Sequence, residues 1–328
     1  MSRWAPKTLE VLGWTALLPM LGLCVTQWFG IEGRRTIAAF QALTPWVLVW
    51  AAPIALAASL TRRHPLAIAS LAPLITLLAL SAPVVFHGSA PAAAAGSPRL
   101  TIAYANALYS NPTPERAAAE LLSSDADVLV IVELSNPMRQ SMEALVAEGD
   151  YPFRDQTPFG GAGGIGIWSR REIVSGGIVA VDGRPTVDVV LDVDGSEMRV
   201  LGVHPYPPTF NAHSWSQQLA AIGDTFAAST LPTVVVGDFN GSRWHPSFRN
   251  LLGHGLRDTH EVLGLGWSVS WPMDEGLLPP TFVRIDHALF GTGVTPTSIR
   301  DVVISGSDHK GFVVTFAFTT SAAVSSGE

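Results

Sequence analysis

Three long stretches almost free of charge, residues 11–29, 37–60 and 66–86, dominate the first part of this chain. Each approaches or exceeds the ~20 residues that a helix needs to cross a bilayer. A buried helical subdomain is the alternative, and the lengths weigh against it. Pro45, Pro53 and Pro73 lie inside the second and third stretches, which membrane helices tolerate better than soluble ones. Trp4, Trp14, Trp28 and Trp46 fall near the expected ends, where aromatic belts form. A cleavable signal peptide accounts for the first stretch alone, because two more follow it. The pattern therefore predicts three transmembrane helices.

Their orientation rests on basic residues. Arg3 and Lys7 precede the first stretch and Arg62 and Arg63 follow the second, against Arg34 and Arg35 in between. The excess belongs on the cytoplasmic side, so everything after the third stretch is expected outside the cytoplasm. Residues 87–98, rich in Ala, Pro, Gly and Ser, read as a linker with a stretched reach of at most ~40 Å. The expected organisation is a three-helix anchor over 1–86, that linker, and a domain over 99–328 working close to the membrane surface.

The domain is acidic, with 14 Lys and Arg against 25 Asp and Glu after residue 90. Such a balance opposes gripping long nucleic acid through phosphate contacts. Cys24, the single cysteine, lies in the first stretch, so the domain holds no disulfide. Alternation and turn residues place strands at 100–105, 127–134, 165–169, 173–181, 186–193, 198–204, 233–237, 283–290, 299–304 and 312–318. Helices are expected from Pro114 to about Ser124, with Thr113 as N-cap, and over 136–148, 211–228 and 244–252. Asp194-Gly195 marks a hairpin. Two similar halves rich in antiparallel strands point to two packed sheets with helices outside.

The chemistry is concentrated at strand ends. Val234-Val235-Val236 delivers Asp238 and Asn240, two positions apart, to the end of a buried strand, and Asp308-His309 precedes another near the C-terminus. Side chains at i and i+2 of an extended segment share a face, so Asp238 and Asn240 are expected to converge on one point. Carboxylate, amide and imidazole without a serine or cysteine nucleophile suggest metal-assisted attack of water on a phosphate ester. Glu133 ends an apolar strand, where a buried carboxylate is costly unless paired or metal-bound. Gly161-Ala162-Gly163-Gly164-Ile165-Gly166 fits the dinucleotide pattern, but a strand begins inside it where that fingerprint requires a helix, so it reads as a loop. The spacing of His213, His245, His254 and His260 suits no zinc site.

Asn106, Glu133, Gly164-Ile165-Gly166-Ile167-Trp168-Ser169-Arg170, Gly202-Val203-His204-Pro205, Gly237-Asp238-Phe239-Asn240, Arg284-Ile285-Asp286-His287 and Ser307-Asp308-His309-Lys310 follow one another in order. This series resembles the endonuclease/exonuclease/phosphatase superfamily across essentially the whole domain. The resemblance implies an α/β fold, a four-layered sandwich of two packed mixed sheets flanked by helices. It also implies Glu133 as the central metal ligand, with Asp308 and Asn106 beside it, and Asp238 and Asn240 aligning water and phosphate. His309 is the natural general base, with Asp286 holding its other nitrogen; either His309 or Asp238 takes the proton. His204 is placed at the phosphate or leaving group, and Arg170 and Arg284 in ion pairs. His287 stands where the family commonly has Tyr, and its role is open. Mg²⁺, with Mn²⁺ as a substitute, suits such oxygen ligands.

With its three-helix anchor the chain is similar to a bacterial membrane-bound branch that includes teicoplanin-resistance-associated proteins. That likeness implies a small or lipid-linked phosphate or pyrophosphate, such as undecaprenyl pyrophosphate, hydrolysed outside the cytoplasm. An anchored nuclease, a phospholipid phosphodiesterase and a catalytically silent binding module are the alternatives.

Overall fold

The computed structural model describes residues 5–273 and 281–319. Arg3, Trp4 and the Lys7 side chain lie outside them. The chain opens on α1 (Ala5–Phe29), then α2 (Arg35–Ala42), α3 (Thr44–Leu48), α4 (Ala51–Leu60), α5 (His64–Ala69) and α6 (Leu71–Val85). Two stretches, Glu10–Phe29 and His64–Val85, are long and apolar enough to cross a membrane. The second expected span is not one helix: Arg35–Ala42 and Thr44–Leu60 meet at 69°. The corner falls at Leu43, and Pro45 sits in the first turn beyond it, where a missing N–H leaves no bond unmade. Counting the bent pair as one gives three candidate spans.

Beyond residue 98 come β1 (Arg99–Asn106), α7 (Pro114–Leu122), β2 (Val128–Val132), α8 (Asn136–Leu145), β3 (Phe153–Thr157) and β4 (Ile165–Ser169). A second half follows with β5 (Ile173–Val181), β6 (Arg184–Val193), β7 (Ser196–Val203), α9 (Pro208–Ala227), β8 (Thr233–Asp238) and α10 (Pro246–Leu252). The chain then runs through β9 (Arg257–Asp258), α11 (Thr259–Val262), β10 (Asp286–Phe290), β11 (Val294–Val303) and β12 (Lys310–Phe318). One sheet has the order β11-β12-β1-β2-β4-β3 and the other β5-β6-β7-β8-β10-β9. Each contains one parallel pair, β1 with β2 and β7 with β8, among antiparallel neighbours.

Strand alternation builds the layers. Leu100, Ile102 and Tyr104 of β1 point between the sheets, where they pack with Val187, Val200, Val236 and Phe290. Ala103 and Ala105 face the other way, toward α7 and α8. On the outer face of the second sheet, Leu201, Val235 and Leu289 meet Trp215 and Leu219 of α9. The result is the expected four-layered sandwich of two mixed sheets flanked by helices. At the β6–β7 turn, Asp194 and Gly195 both take positive φ (54° and 86°), as a two-residue hairpin requires. β3, a polar edge strand, and the two-residue β9 carry too little apolar alternation to be read from the sequence.

The N-terminal helices do more than trail from this sandwich. Gln27 donates to Trp244 O at 2.8 Å and to Thr44 Oγ1 at 2.7 Å, and accepts from Arg249 Nη2 at 2.9 Å. Glu32 accepts from the Ser247 N–H and hydroxyl. His245 Nε2 lies 3.0 Å from Ala38 O, and Trp46 Nε1 donates to Phe282 O at 3.0 Å. The 87–98 segment is also laid down rather than free: Ala94 N donates to Phe318 O, Thr295 bonds Pro91 O, and Arg257 bonds Gly88 O and Ser89 O.

Candidate active site

One end of the sandwich gathers the polar strand ends. Asn106 ends β1 and Glu133 follows β2, the parallel pair of the first sheet. Asp238 ends β8, and Asp286 opens β10 directly opposite it in the antiparallel register. His204 follows β7, and Asp308 and His309 precede β12. Two sheets packed face to face thus bring both sets of strand ends to one cleft.

Asn106 is the hub. Its Nδ2 lies 3.1 Å from Glu133 Oε1, 3.1 Å from Asp238 Oδ2 and 3.4 Å from His309 Nε2. Its oxygen accepts from Leu108 N at 3.0 Å. The amide therefore presents a donor to the carboxylates and holds them in place. Glu133 sits at φ +52°, a left-handed conformation that costs a non-glycine residue about 1–3 kcal/mol and is typical of functional sites. The backbone there is gripped by Leu134 N to Gly164 O and Phe159 N to Leu134 O. A Cβ on Gly164 would lie 2.0 Å from Leu134 O, so this glycine of the false dinucleotide pattern is required by the turn carrying Glu133.

His309 Nδ1 lies 2.9 Å from Asp286 Oδ2, and the other oxygen of Asp286 accepts from the Tyr104 hydroxyl at 3.0 Å. His309 Nε2 is left facing Asp238 Oδ2 and Asp308 Oδ1, each at 3.8 Å. His204 Nε2 stands 3.6 Å from Asp238 Oδ2 and 3.9 Å from Glu133 Oε1. Asn240 reaches the same cavity as Asp238 by a different backbone path than the expected alternation. The strand stops at Asp238 and Asn240 turns to φ +48°, so the two-residue alternation no longer applies. Its amide donates to Pro205 O at 3.1 Å and its N–H to Asp238 Oδ1 at 2.7 Å, bracing Asp238 from the rim of the same cavity.

Electrostatics separates these groups. Burial, reinforced by the Asp286 charge, pushes the Asp238 carboxyl up to about 8. Burial opposes charge on His309, but Asp286 and Asp238 outweigh it and push the ring up to about 10. Asp286 is buried as well, yet the His309 charge and its hydrogen bonds hold its carboxyl below the usual range. Burial, with Arg184 adding repulsion, pushes His204 down to about 3, so that ring is neutral.

The residues also suit a divalent cation. Asp238, Asp286 and His309 offer ligand atoms within 4.8 Å of one another. Both Asp286 oxygens are already engaged. By contrast Asp308 Oδ1 is buried with no hydrogen-bond partner among the described residues, while its Oδ2 accepts from Trp271 Nε1 at 3.1 Å. A raised Asp238 and an orphaned carboxylate oxygen are what crowded acids show when a cation is their natural partner.

Arg184 and Tyr104 carry no motif signal and emerge only in three dimensions. Arg184 Nε donates to His204 O at 2.9 Å, and its guanidinium stacks on Tyr206 at 4.5 Å. Arg170 pairs with Asp150 and Asp125, and Arg284 pairs with Asp301 and donates to Asp286 O at 3.2 Å. His287 faces the other side of β10, with Nδ1 2.6 Å from Asp258 Oδ2 and Nε2 3.0 Å from Gly241 O. It ties β10 to β9 and to the turn after Asp238.

The cavity of about 440 Å³ at these groups has a second wall, the α2 residues Ala38, Ala39 and Ala42 with Leu43. Part of the candidate site is thus built by an N-terminal helix.

Residues 103–309 match the family model described as Endonuclease/Exonuclease/phosphatase family. No curated protein matches the chain. Among solved structures, D. rerio TDP2 complexed with single-strand DNA product is similar at 18% identity and a TM-score of 0.57, over 66% of this chain and 98% of that one. A functionally unknown conserved protein from Enterococcus faecalis V583 is similar at 14% identity and 0.55, over 67% of this chain and all of that one (100%). An endonuclease/exonuclease/phosphatase family protein from Leptotrichia buccalis stands at 15% and 0.53, over 67% and 100%.

Proposed function

The chain belongs to the endonuclease/exonuclease/phosphatase family, whose members hydrolyse phosphoester bonds with divalent metals, and from that premise we propose a membrane-anchored hydrolase of small or lipid-linked phosphate esters and pyrophosphates. The observation that carries this reading is a single cavity lined both by Glu133, His204, Asp238, Asp308 and His309 and by apolar residues of α2. Glu133 and Asp308 would hold Mg²⁺ or Mn²⁺, which supplies Lewis-acid polarisation of the phosphoryl oxygens. Asn106 holds Glu133 and Asp238 in place.

His309 and Asp238 divide the proton work. Asp286 orients the His309 ring and keeps it cationic, so Nε2 donates to the phosphoryl group. Asp238, whose carboxyl is nearer the working pH, takes the proton of the attacking water. Neutral His204, steadied by Arg184, faces the leaving group. Asn240 braces Asp238.

The likeness to the teicoplanin-resistance-associated branch supports undecaprenyl pyrophosphate as the lipid-linked candidate, acted on outside the cytoplasm by a domain over 99–328 that the 1–86 helices anchor. A reporter enzyme active only outside the cytoplasm, fused after Phe318, reads that orientation. Similarity to D. rerio TDP2 in complex with a DNA product favours a nuclease as second reading, but the excess of acidic over basic residues after residue 90 opposes it. Hydrolysis assays of the full-length protein on an aryl phosphate, a prenyl pyrophosphate, a phospholipid and DNA, with Mg²⁺ and with chelator, decide. Chelator-sensitive turnover of the first two is expected. Efficient DNA cleavage at physiological salt without lipid turnover would establish the nuclease instead.

A further inference from the structure

A second cavity, of about 500 Å³, lies on the far side of the α2–α3 corner. It shares Phe282 and Val283 with the cavity at His309. Trp46 lines it and donates to Phe282 O at 3.0 Å, so the corner of the broken helix stands over the boundary between the two. Its apolar walls come from the N-terminal helices, through Trp46, Val49 and Leu78, and from the sandwich, through Trp267. All four are exposed, Leu78 by 70%.

The charged groups at its back are already satisfied. Arg243 pairs with Glu261, Arg284 with Asp301, and Asp258 with His287. Among the described residues no unpaired cation is offered to a second phosphate there. Either cavity lies within the ~300–1,000 Å³ of small-molecule sites, and a phosphate group alone fills only a fraction of the first.

We infer that this second cavity receives the hydrocarbon chain of the substrate whose phosphate lies at His309, an inference that rests on the phosphoesterase reading above. A phosphate drawn to His309 from the bilayer pulls its first methylenes out of hydrocarbon. Each methylene left in water weakens binding about fourfold. A wall as apolar as lipid removes that penalty, since lipid tails are themselves no more apolar than Leu. The cavity adjoins the phosphate site across the shared residues Phe282 and Val283 and is walled by Val49 and Leu78 of the candidate membrane helices, so a chain that passes over those two residues enters an apolar wall. The shared chemistry is a phosphate bearing a long hydrocarbon chain; prenyl pyrophosphate and phospholipid are its two sources.

The test uses the full-length protein in lipid nanodiscs with Mg²⁺. Substrates are prenyl pyrophosphates of rising chain length, a phospholipid and a water-soluble aryl phosphate. In the parent, the ratio of kcat/KM for the preferred lipid to that for the aryl phosphate should rise with chain length and then level as the cavity fills. Val49→Trp and Leu78→Trp, which fill the cavity, should lower that ratio by about tenfold or more, the equivalent of two methylenes. A non-hydrolysable prenyl phosphonate with a diazirine on its chain should label Trp46, Leu78 or Trp267 in the parent, which settles the matter even if a variant fails to fold. Ratios unchanged in folded variants, or labels confined to exposed Leu56 and Leu60 of α4, would overturn the inference. Turnover of aryl phosphate but of no lipid sinks the chain cavity and leaves the phosphoesterase reading standing. Labelling of the cavity without turnover of any substrate keeps the chain site and removes that reading.

Discussion

Asp308 holds one oxygen against Trp271 and leaves the other buried without a hydrogen bond among the described residues, while Glu133 is fixed by the Asn106 amide and Tyr109 N–H. A neutral amide at either position attracts a dication far less than a carboxylate. Glu133→Gln and Asp308→Asn should therefore raise the Mg²⁺ concentration for half-maximal activity by at least about tenfold with the fold intact; titration of activity against Mg²⁺ measures it. His309→Ala should reduce kcat by about 10²–10⁴. The parent rate should climb on the acid side as Asp238 ionises, at a pH below 8 once a cation is bound. A rate flat across neutral pH would remove Asp238 as the base.

At the scale of elements, the junction between α1, α2 and the segment 242–249 consists of short-range hydrogen bonds around Gln27, Glu32 and His245. Each buried bond is worth about 0.5–1.5 kcal/mol, and more where a charged partner is left bare. The double change Gln27→Ala, Glu32→Ala should expose the 29–45 region to protease and lower the apparent Tm by several degrees. Limited proteolysis with mass spectrometry follows the first effect. Unaltered cleavage would show that the helices and the sandwich are held together elsewhere.

Over the whole molecule, proton binding and cation binding oppose each other. His309 is raised to about 10 and Asp238 to about 8, so above the ordinary imidazole value, where the lowered His204 and His245 no longer count against them, these two groups hold more protons in the folded protein than in the unfolded chain. The His309 contribution is complete below the ordinary imidazole value of about 6.5 and lost as pH rises through 10; the Asp238 contribution is lost on the way to 8. The metal-free protein should thus lose stability as pH rises through that window. Mg²⁺ displaces the same protons, so its gain in apparent Tm should be larger near pH 8.5 than near pH 6. Thermal unfolding with and without chelator at both values checks this. Truncation tests the shared wall. A protein beginning at Arg99 loses the α2 side of the cavity and the partners of His245 and Arg249. It should lose thermal stability, and most of its turnover even of a water-soluble ester.

The strand ends bearing Glu133, Asp238, Asp308 and His309 were legible because a buried strand demands apolar residues, and a polar residue at its end is conspicuous; Asn106, His204 and Asp286 stood out only through the order of motifs that the family resemblance rests on. The sandwich and the candidate spans were legible on the same ground: alternation of period two and unbroken apolar length are local properties. Asn240 reaches the cavity of Asp238 by a turn at φ +48° rather than by strand alternation, a matter of one backbone angle that the sequence does not announce. Arg184, Tyr104 and β3 left no local trace, since their positions depend on which strand end or sheet edge comes to lie beside them. The broken second helix was the largest gap. Its residues are apolar throughout, so composition announces a straight span. Only packing against α9 and the hydrogen bonds from His245 and Trp46 turn its first two turns across the cleft, because the sandwich supplies partners there that the bilayer does not.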